Sequence, residues 1–302
     1  MIKIALSLIF AIVTLGYSSA HAKPFVFACE PEWASLANEI GQDLITSYSA
    51  TTGIQDPHYI RARPSLMSRI RKADLLVCSG AGLESGWLPL LLQKASANVQ
   101  PGKSGHLLIA EHVALFDKPD RIDRSMGDVH PDGNPHIHLD PNNIEVAARL
   151  VAERLSEIDS EHIDHYQKNL ESFLKKWQLS TTKWQDLGNQ LRGKSVISHH
   201  KSFSYLMSFL KINSIGFIEE KPGISPSSKH LAKLVETAEK QDVLAVIRTP
   251  YDPRAPSEWL SEKTGLSTLT LPFTVGGTPK ATNLFELMDE TLNQLNSVLE
   301  NR

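Results

Sequence analysis

Histidines gather in three short segments of this 302-residue chain, next to residues that favour loops. In chain order these histidines are His58, His130, His136, His138, His199 and His200. A single loop histidine is usually a surface or capping residue. Neutral imidazoles that converge from separate segments, however, are common nitrogen ligands of zinc, copper, nickel and iron. Together the three segments therefore indicate a transition-metal site.

The residues around these histidines favour fixed ring positions. The tripeptides Asp-Pro-His and Asn-Pro-His end at His58 and His136, and proline restricts the backbone of such loops. His200 follows a predicted strand at residues 195–198, so we expect it at the carboxyl end of a strand, where open α/β sheets usually bind ligands. The histidines are spaced by tens of residues, which argues against a zinc finger with its closely paired ligands.

Apolar, strand-like runs alternate with helical stretches in both halves of the chain. The strands are predicted at residues 25–29, 45–49, 75–78, 107–109, 195–198, 213–218, 243–247 and 267–271. Helices are predicted near residues 34–41 and 64–71. Continuous apolar strands that alternate with helices favour parallel sheets covered on both faces. The predicted fold class is therefore α/β, with two α/β lobes.

A long helix is predicted between the lobes, at residues 160–191. Its apolar side chains recur at steps of three and four residues and form one stripe, made of Ile163, Tyr166, Leu170, Phe173, Leu174, Trp177 and Trp184. We expect this helix to be a rigid link, with the metal site in the cleft between the lobes. The predicted divisions are a signal peptide at 1–22, an N-terminal lobe at 23–159, the linking helix at 160–191 and a C-terminal lobe at 192–302.

The first residues have the pattern of a secretory signal peptide. Lys3 precedes an apolar stretch at residues 4–17, and a run of small residues ends at Ala22. The apolar stretch is shorter than the roughly 18 residues that a spanning helix needs, so we expect cleavage after Ala22 rather than an uncleaved anchor. No cysteine follows the stretch, and lipid attachment is not expected. The mature protein is predicted to be free in a periplasm.

Charge and cysteine content narrow the function further. The chain has 31 Lys and Arg against 34 Asp and Glu and no basic run, which argues against nucleic acid as a partner.

Its two cysteines, Cys29 and Cys78, lie at the ends of two predicted strands. In an oxidising compartment an even number of thiols usually pairs, but two buried thiols are the alternative, since sequence does not reveal disulfide geometry.

Four segments carry a resemblance to a known family: QDPH at residues 55–58, NPHIHLDP at 134–141, VISHHKSFSY at 196–205 and LPFTVGG at 271–277. In this order and spacing, the chain resembles the periplasmic solute-binding proteins of zinc/manganese ABC importers, the high-affinity zinc uptake (ZnuA/TroA-like) family. The match covers essentially the whole mature sequence. It implies capture of a divalent transition metal, zinc first and manganese second, and delivery to a membrane permease by a monomer that is not an enzyme.

The resemblance also implies a ligand set of His58, His136 and His200. Residues 273–277 contain no acid where manganese-type members place an aspartate. Glu219 takes the place of another carboxylate in such members and is the predicted fourth ligand, with water or a further histidine as the alternative. His130 and His138 are possible accessory residues for metal capture. For His138 the alternative is packing beside the site, at a position that is often aromatic in the family.

Two other functions could use the same histidines. Three histidines and an open position also describe a zinc hydrolase, but the sequence has neither a His-Glu-x-x-His helix nor a Gly-x-Ser-x-Gly turn. An adhesin with a structural metal would unfold on chelation, whereas the metal-free form of a carrier should stay folded. Because a carrier binds metal through neutral imidazoles, we expect its affinity to fall between about pH 7 and pH 6.

Overall fold

The computed structural model of the protein describes residues 22–123, 126–127 and 129–300. The predicted signal segment lies outside the described residues, apart from Ala22. The strands are β1 (Phe25–Ala28), β2 (Thr46–Ser49), β3 (Leu75–Cys78), β4 (His106–Leu108), β5 (Ser195–Ser198), β6 (Asn213–Phe217), β7 (Val243–Arg248) and β8 (Thr268–Thr270). The helices are α1 (Pro31–Gly41), α2 (Pro64–Ile70), α3 (Leu88–Leu92), α4 (Pro141–Ile158), α5 (Ile163–Gly188), α6 (Ser204–Leu210), α7 (Ser228–Lys240), α8 (Arg254–Thr264) and α9 (Leu284–Glu300).

Two parallel four-stranded sheets form the centres of the two lobes. The first has the order β2-β1-β3-β4 and the second the order β6-β5-β7-β8. All of their strand pairs are parallel. The central strands β3, β5 and β7 are buried along their whole length, as expected for parallel strands covered on both faces. The predicted α/β fold with two lobes is confirmed.

The helix α5 lies between the two sheets in the chain. Its 26 residues make it about 39 Å long at 1.5 Å per residue. Five side chains of the predicted stripe are buried: Tyr166, Leu170, Phe173, Trp177 and Trp184. Ile163 does not join them, since it is 41% exposed at the first position of the helix. The helix is shorter than predicted because residues 160–162 form a 3-10 turn before it.

One apolar core extends through both lobes. It includes side chains of α1, α4, α5 and α9 together with residues of the strands β1, β3, β5 and β7. The long helices α4 and α9 were not among the sequence predictions, and both place an apolar face in this core. Of the helices that the structure describes, none is long and apolar enough to cross a membrane.

Cys29 and Cys78 form a disulfide, with their Cα atoms 4.8 Å apart. The bond joins the carboxyl ends of β1 and β3, which are hydrogen-bonded neighbours in the first sheet. Parallel pairing places both sulfurs at the same end of the sheet. Of the two alternatives left open by the sequence, the structure contains the disulfide.

Candidate metal centre

Three imidazoles from distant parts of the chain meet at one point. One ring nitrogen each of His58, His136 and His200 lies within 4.8 Å of the others. The ring centroids are 5.5 Å apart for His58 and His136, 6.0 Å for His58 and His200, and 5.5 Å for His136 and His200. His58 and His136 precede α5, whereas His200 follows β5. Both lobes therefore contribute to the cluster.

Two of these rings are held by the same local motif. Asp56 Oδ1 accepts hydrogen bonds from the backbone nitrogen of His58, at 3.0 Å, and from its ring Nδ1, at 2.6 Å. Asn134 Oδ1 accepts the same two bonds from His136, at 3.0 Å and 2.7 Å. Because one oxygen fixes both backbone and ring, each imidazole has a defined direction before any ion arrives.

The amide of Asn134 is itself fixed by its neighbours. Its Nδ2 donates to Asp117 Oδ2 at 3.2 Å and to the Lys201 carbonyl at 3.0 Å, so Oδ1 must be the atom that faces His136. The Tyr205 hydroxyl donates to the Asn134 backbone carbonyl at 2.8 Å. Lys201 and Tyr205 belong to the C-terminal lobe. The second lobe therefore positions a histidine of the first.

Glu219 holds the third ring. Its Oε2 lies 3.0 Å from His200 Nδ1 and accepts from the Gly223 backbone nitrogen at 3.1 Å, and its Oε1 lies 3.7 Å from His199 Nε2. Burial alone would raise the pKa of Glu219, but the hydrogen bonds from His199 and His200 outweigh burial and lower it to about 2. The carboxylate is thus charged at neutral pH and supports a proton on His200 Nδ1.

These contacts determine where the proton sits on each ring. His58, His136 and His200 all have Nδ1 against a side-chain oxygen, which makes Nδ1 the donor and leaves the lone pair on Nε2. His136 Nε2 is buried and has no hydrogen-bond partner among the described residues. Burial, followed by the charges of His58 and His200, lowers the pKa of His136 well below its ordinary value. With its proton on Nδ1, each of the three rings leaves Nε2 as the nitrogen that can bind a metal ion.

The two accessory candidates have different environments. His130 Nε2 lies 3.1 Å from His58 Nε2, so the structure brings His130 to the cluster. His138 is buried with Nε2 2.8 Å from the Phe273 carbonyl oxygen and Nδ1 3.1 Å from Glu32 Oε1. Both nitrogens of His138 therefore face other groups, in a polar link that joins the two lobes beside the site.

Buried glutamates lie near this link. The Thr274 hydroxyl donates to Glu32 Oε2. Glu30 Oε2 accepts from the Ser79 backbone nitrogen at 3.3 Å, and both carboxylate oxygens of Glu84 lie 3.1 Å from the Gly80 nitrogen. Burial raises the pKa of Glu84 to about 7, and burial together with the neighbouring Glu84 charge raises that of Glu30 well above its ordinary value.

Known proteins resemble this chain over most of its length. The metal ABC transporter substrate-binding lipoprotein ScbA of Streptococcus cristatus is 24% identical over 247 residues, which cover 80% of this chain and 76% of ScbA. The zinc-binding lipoprotein AdcA of Streptococcus pneumoniae is 22% identical over 245 residues, or 80% of this chain. Those residues cover 48% of AdcA, so the chain spans about half of that relative.

Solved structures share the fold. A crystal structure of ZnuA has a TM-score of 0.74 at 22% identity and covers 91% of this chain and 100% of its own. The Mn-bound periplasmic metal binding protein from Candidatus Liberibacter asiaticus has a TM-score of 0.71 at 16% identity. The match covers 91% of this chain and 100% of that protein's chain.

Each of the two lobes is built on a parallel sheet, and imidazoles from both lobes meet at one point. This fold and this site define a binding protein for a transition-metal ion. The family model described as "Zinc-uptake complex component A periplasmic", ZnuA, matches residues 26–298. The chain belongs to the ZnuA family. The resemblance inferred from the four sequence segments is thereby confirmed.

Proposed function

We propose that this protein captures a divalent transition-metal ion, zinc first and manganese second, and delivers it to the permease of an ABC importer. The observation that carries the proposal is the convergence of three Nε2 lone pairs from both lobes, each fixed by a hydrogen bond at Nδ1. The names of the relatives support both metals, since AdcA is a zinc-binding lipoprotein and one structural neighbour is Mn-bound.

His58, His136 and His200 are the proposed ligands. Nitrogen-rich sets suit zinc, whereas manganese prefers oxygen, which favours zinc. Glu219 remains the predicted fourth ligand from the sequence. Its contacts with His200 Nδ1 and Gly223 favour a second role, in which it orients His200 from outside the ligand set.

The protein acts as a carrier rather than an enzyme. The carboxylates of Asp56 and Glu219 are hydrogen-bonded to ring nitrogens of the histidines, so neither is placed as a general base for an attacking water. It works as a monomer in the periplasm after removal of residues 1–22. The disulfide Cys29–Cys78 is typical of an oxidising compartment.

Calorimetry on metal-stripped protein tests the proposal. The wild type should bind one zinc ion tightly and prefer it to manganese, and a variant with His58→Ala, His136→Ala and His200→Ala should bind neither. Circular dichroism must show that both metal-free proteins are folded, which separates a carrier from a protein that needs metal for its structure. Equal zinc binding by the folded variant would overturn the proposed site.

A further inference from the structure

We infer that His130 is a ligand of the ion, so that four imidazoles hold it and no carboxylate does. This inference rests on the proposed function and specifies the chemistry of the same site. It raises His130 from an accessory residue to a direct contact. It also accounts for the segment 273–277, which offers no acid to the ion.

The distance between two ring nitrogens is the first argument. His130 Nε2 is 3.1 Å from His58 Nε2, and the His130 ring centroid lies 5.1 Å from that of His58 and 6.1 Å from that of His136. Zinc–nitrogen bonds of 2.0–2.1 Å in tetrahedral geometry hold two ligand nitrogens roughly 3.3 Å apart. His130 and His58 are therefore already spaced like two ligands of one ion.

The protons on the two rings give the second argument. Asp56 fixes the proton of His58 on Nδ1, so His58 Nε2 carries a lone pair. A hydrogen bond between His130 and the Ala81 backbone favours the protonated ring, as a bond donated by the ring to the Ala81 carbonyl does. His130 Nδ1 is the nitrogen on that side, 3.6 Å from the position that a Cβ on Gly82 would occupy. His130 Nε2 therefore also carries a lone pair, and it faces the lone pair of His58.

Two facing lone pairs repel each other unless a cation lies between them. An ordinary hydrogen bond between His130 and His58 would need the proton of His130 on Nε2. Nδ1 of His130 would then be an acceptor facing the Ala81 carbonyl, which is also an acceptor. The arrangement fits a shared metal ion better than a hydrogen bond between two rings.

The turn that holds His130 has an unusual backbone. Gly80, Ala81 and Gly82 all have positive φ angles, of 80°, 50° and 84°. A left-handed conformation at a non-glycine residue such as Ala81 is disfavoured, and strain of this kind is often retained at binding sites. Here the turn presents the Ala81 carbonyl to the His130 ring. A Cβ on Gly127 would lie 2.2 Å from the Pro222 carbonyl oxygen, so the backbone at Gly127 lies directly against the C-terminal lobe.

Four imidazoles would make the site strongly selective for zinc over manganese, because manganese gains least from nitrogen ligands. The test compares the wild type with His130→Ala and His130→Asp. The control is His112→Ala, which removes an exposed histidine that is not among the proposed ligands. X-ray absorption spectra of the protein loaded with one zinc ion count the imidazoles, and competition titrations give the affinities for zinc and manganese.

We expect four imidazoles around zinc in the wild type and in His112→Ala, and three with one oxygen in His130→Ala. Zinc affinity of His130→Ala should fall by at least roughly tenfold, since even outer partners of metal ligands often contribute that much. His130→Asp should bind manganese better than the wild type does. Three imidazoles in the wild type, with unchanged affinity in His130→Ala, would overturn the role of His130 and leave the carrier function intact. Loss of the carrier function would instead appear as no zinc binding by the wild type.

Discussion

A single oxygen of Asp56 holds His58 at two atoms, 3.0 Å from its backbone nitrogen and 2.6 Å from its ring Nδ1. At the other proline-linked histidine, Asn134 makes the same two contacts with His136. One motif therefore serves twice, once with a charged residue and once with a neutral residue of the same shape. The comparison separates the effect of geometry from the effect of charge.

Asp56→Ala should weaken zinc binding by roughly 10- to 100-fold, because the His58 ring loses its direction and its fixed proton. Asp56→Asn should weaken it less, since Asn134 shows that an amide oxygen can make both contacts. Calorimetry on both folded variants measures the difference. Equal losses in the two variants would mean that the negative charge, and not the turn, is what His58 requires.

Proton release should reveal the low pKa of His136. At pH 5.5, imidazoles with an ordinary pKa near 6.5 are roughly nine-tenths protonated and would each release nearly one proton on binding zinc. His136 has a pKa well below this value, and burial, followed by the charges of His58 and His200, lowers that of His130 to about 3. The wild type should therefore release fewer protons per zinc ion at pH 5.5 than three ordinary imidazoles would supply.

Calorimetry in buffers of different ionisation enthalpy counts these protons. A release close to three would contradict the low pKa of His136. The sequence alone led us to expect an affinity loss between pH 7 and pH 6. The contribution of His136 to that loss should now lie at lower pH, because its buried ring takes up a proton only there.

The buried glutamates should make the protein less stable as the pH rises. The pKa of Glu84 is raised to about 7 from an ordinary 4.5, so the folded state binds more protons than the unfolded state between these values. The free energy of unfolding therefore falls as the pH rises from about 4.5 through 7. Glu84→Gln removes this penalty and keeps an acceptor for the Gly80 nitrogen.

Thermal unfolding of the metal-free proteins at pH 5 and pH 8 checks this prediction. The melting temperature of Glu84→Gln relative to wild type should be higher at pH 8 than at pH 5. Glu153→Gln, on the exposed side of α4, is the matched control and should show no such trend. A constant difference between Glu84→Gln and wild type at both pH values would show that folding does not raise the pKa of Glu84.

The disulfide should affect stability but not metal binding. Cys29 and Cys78 are 49 residues apart, and closing a loop of this length in the unfolded chain corresponds to about 4 kcal/mol in the chain-entropy model. The double variant Cys29→Ala/Cys78→Ala should therefore unfold at lower denaturant concentration. Zinc affinity of the folded double variant should match the wild type, since both cysteines lie in an apolar cluster with Phe27, Leu76 and Trp87. A loss of zinc affinity in the folded double variant would mean that the disulfide also positions the site.

The sequence was sufficient to predict the strands, the two lobes and the linking helix α5, because continuous apolar runs and a regular stripe are properties of the residues themselves. The helix α4 was missed although its signal is readable: Asp140 caps it, Pro141 begins it, and Ile144, Val151 and Leu155 follow at helical spacing. That signal lies directly after the histidine segment that ends at His138.

The position of His130 could not be predicted in the same way. It depends on the left-handed turn at Gly80–Gly82, about 50 residues earlier in the chain, and on the contact between Gly127 and Pro222. The contact of Glu219 with Nδ1 of His200 likewise depends on how β5 and β6 lie side by side. Both are products of tertiary packing, which spacing along the chain does not encode.

The apolar core that runs through both lobes limits how the carrier can signal that it is loaded. The helices α1, α5 and α9 contact one another within it, so a wide opening of the lobes would separate close-packed side chains. Empty and loaded forms must then share nearly the same outline. A permease that accepts only the loaded form would have to recognise a change at the rim of the cleft, where Gly127 lies against Pro222, and not a change in overall shape.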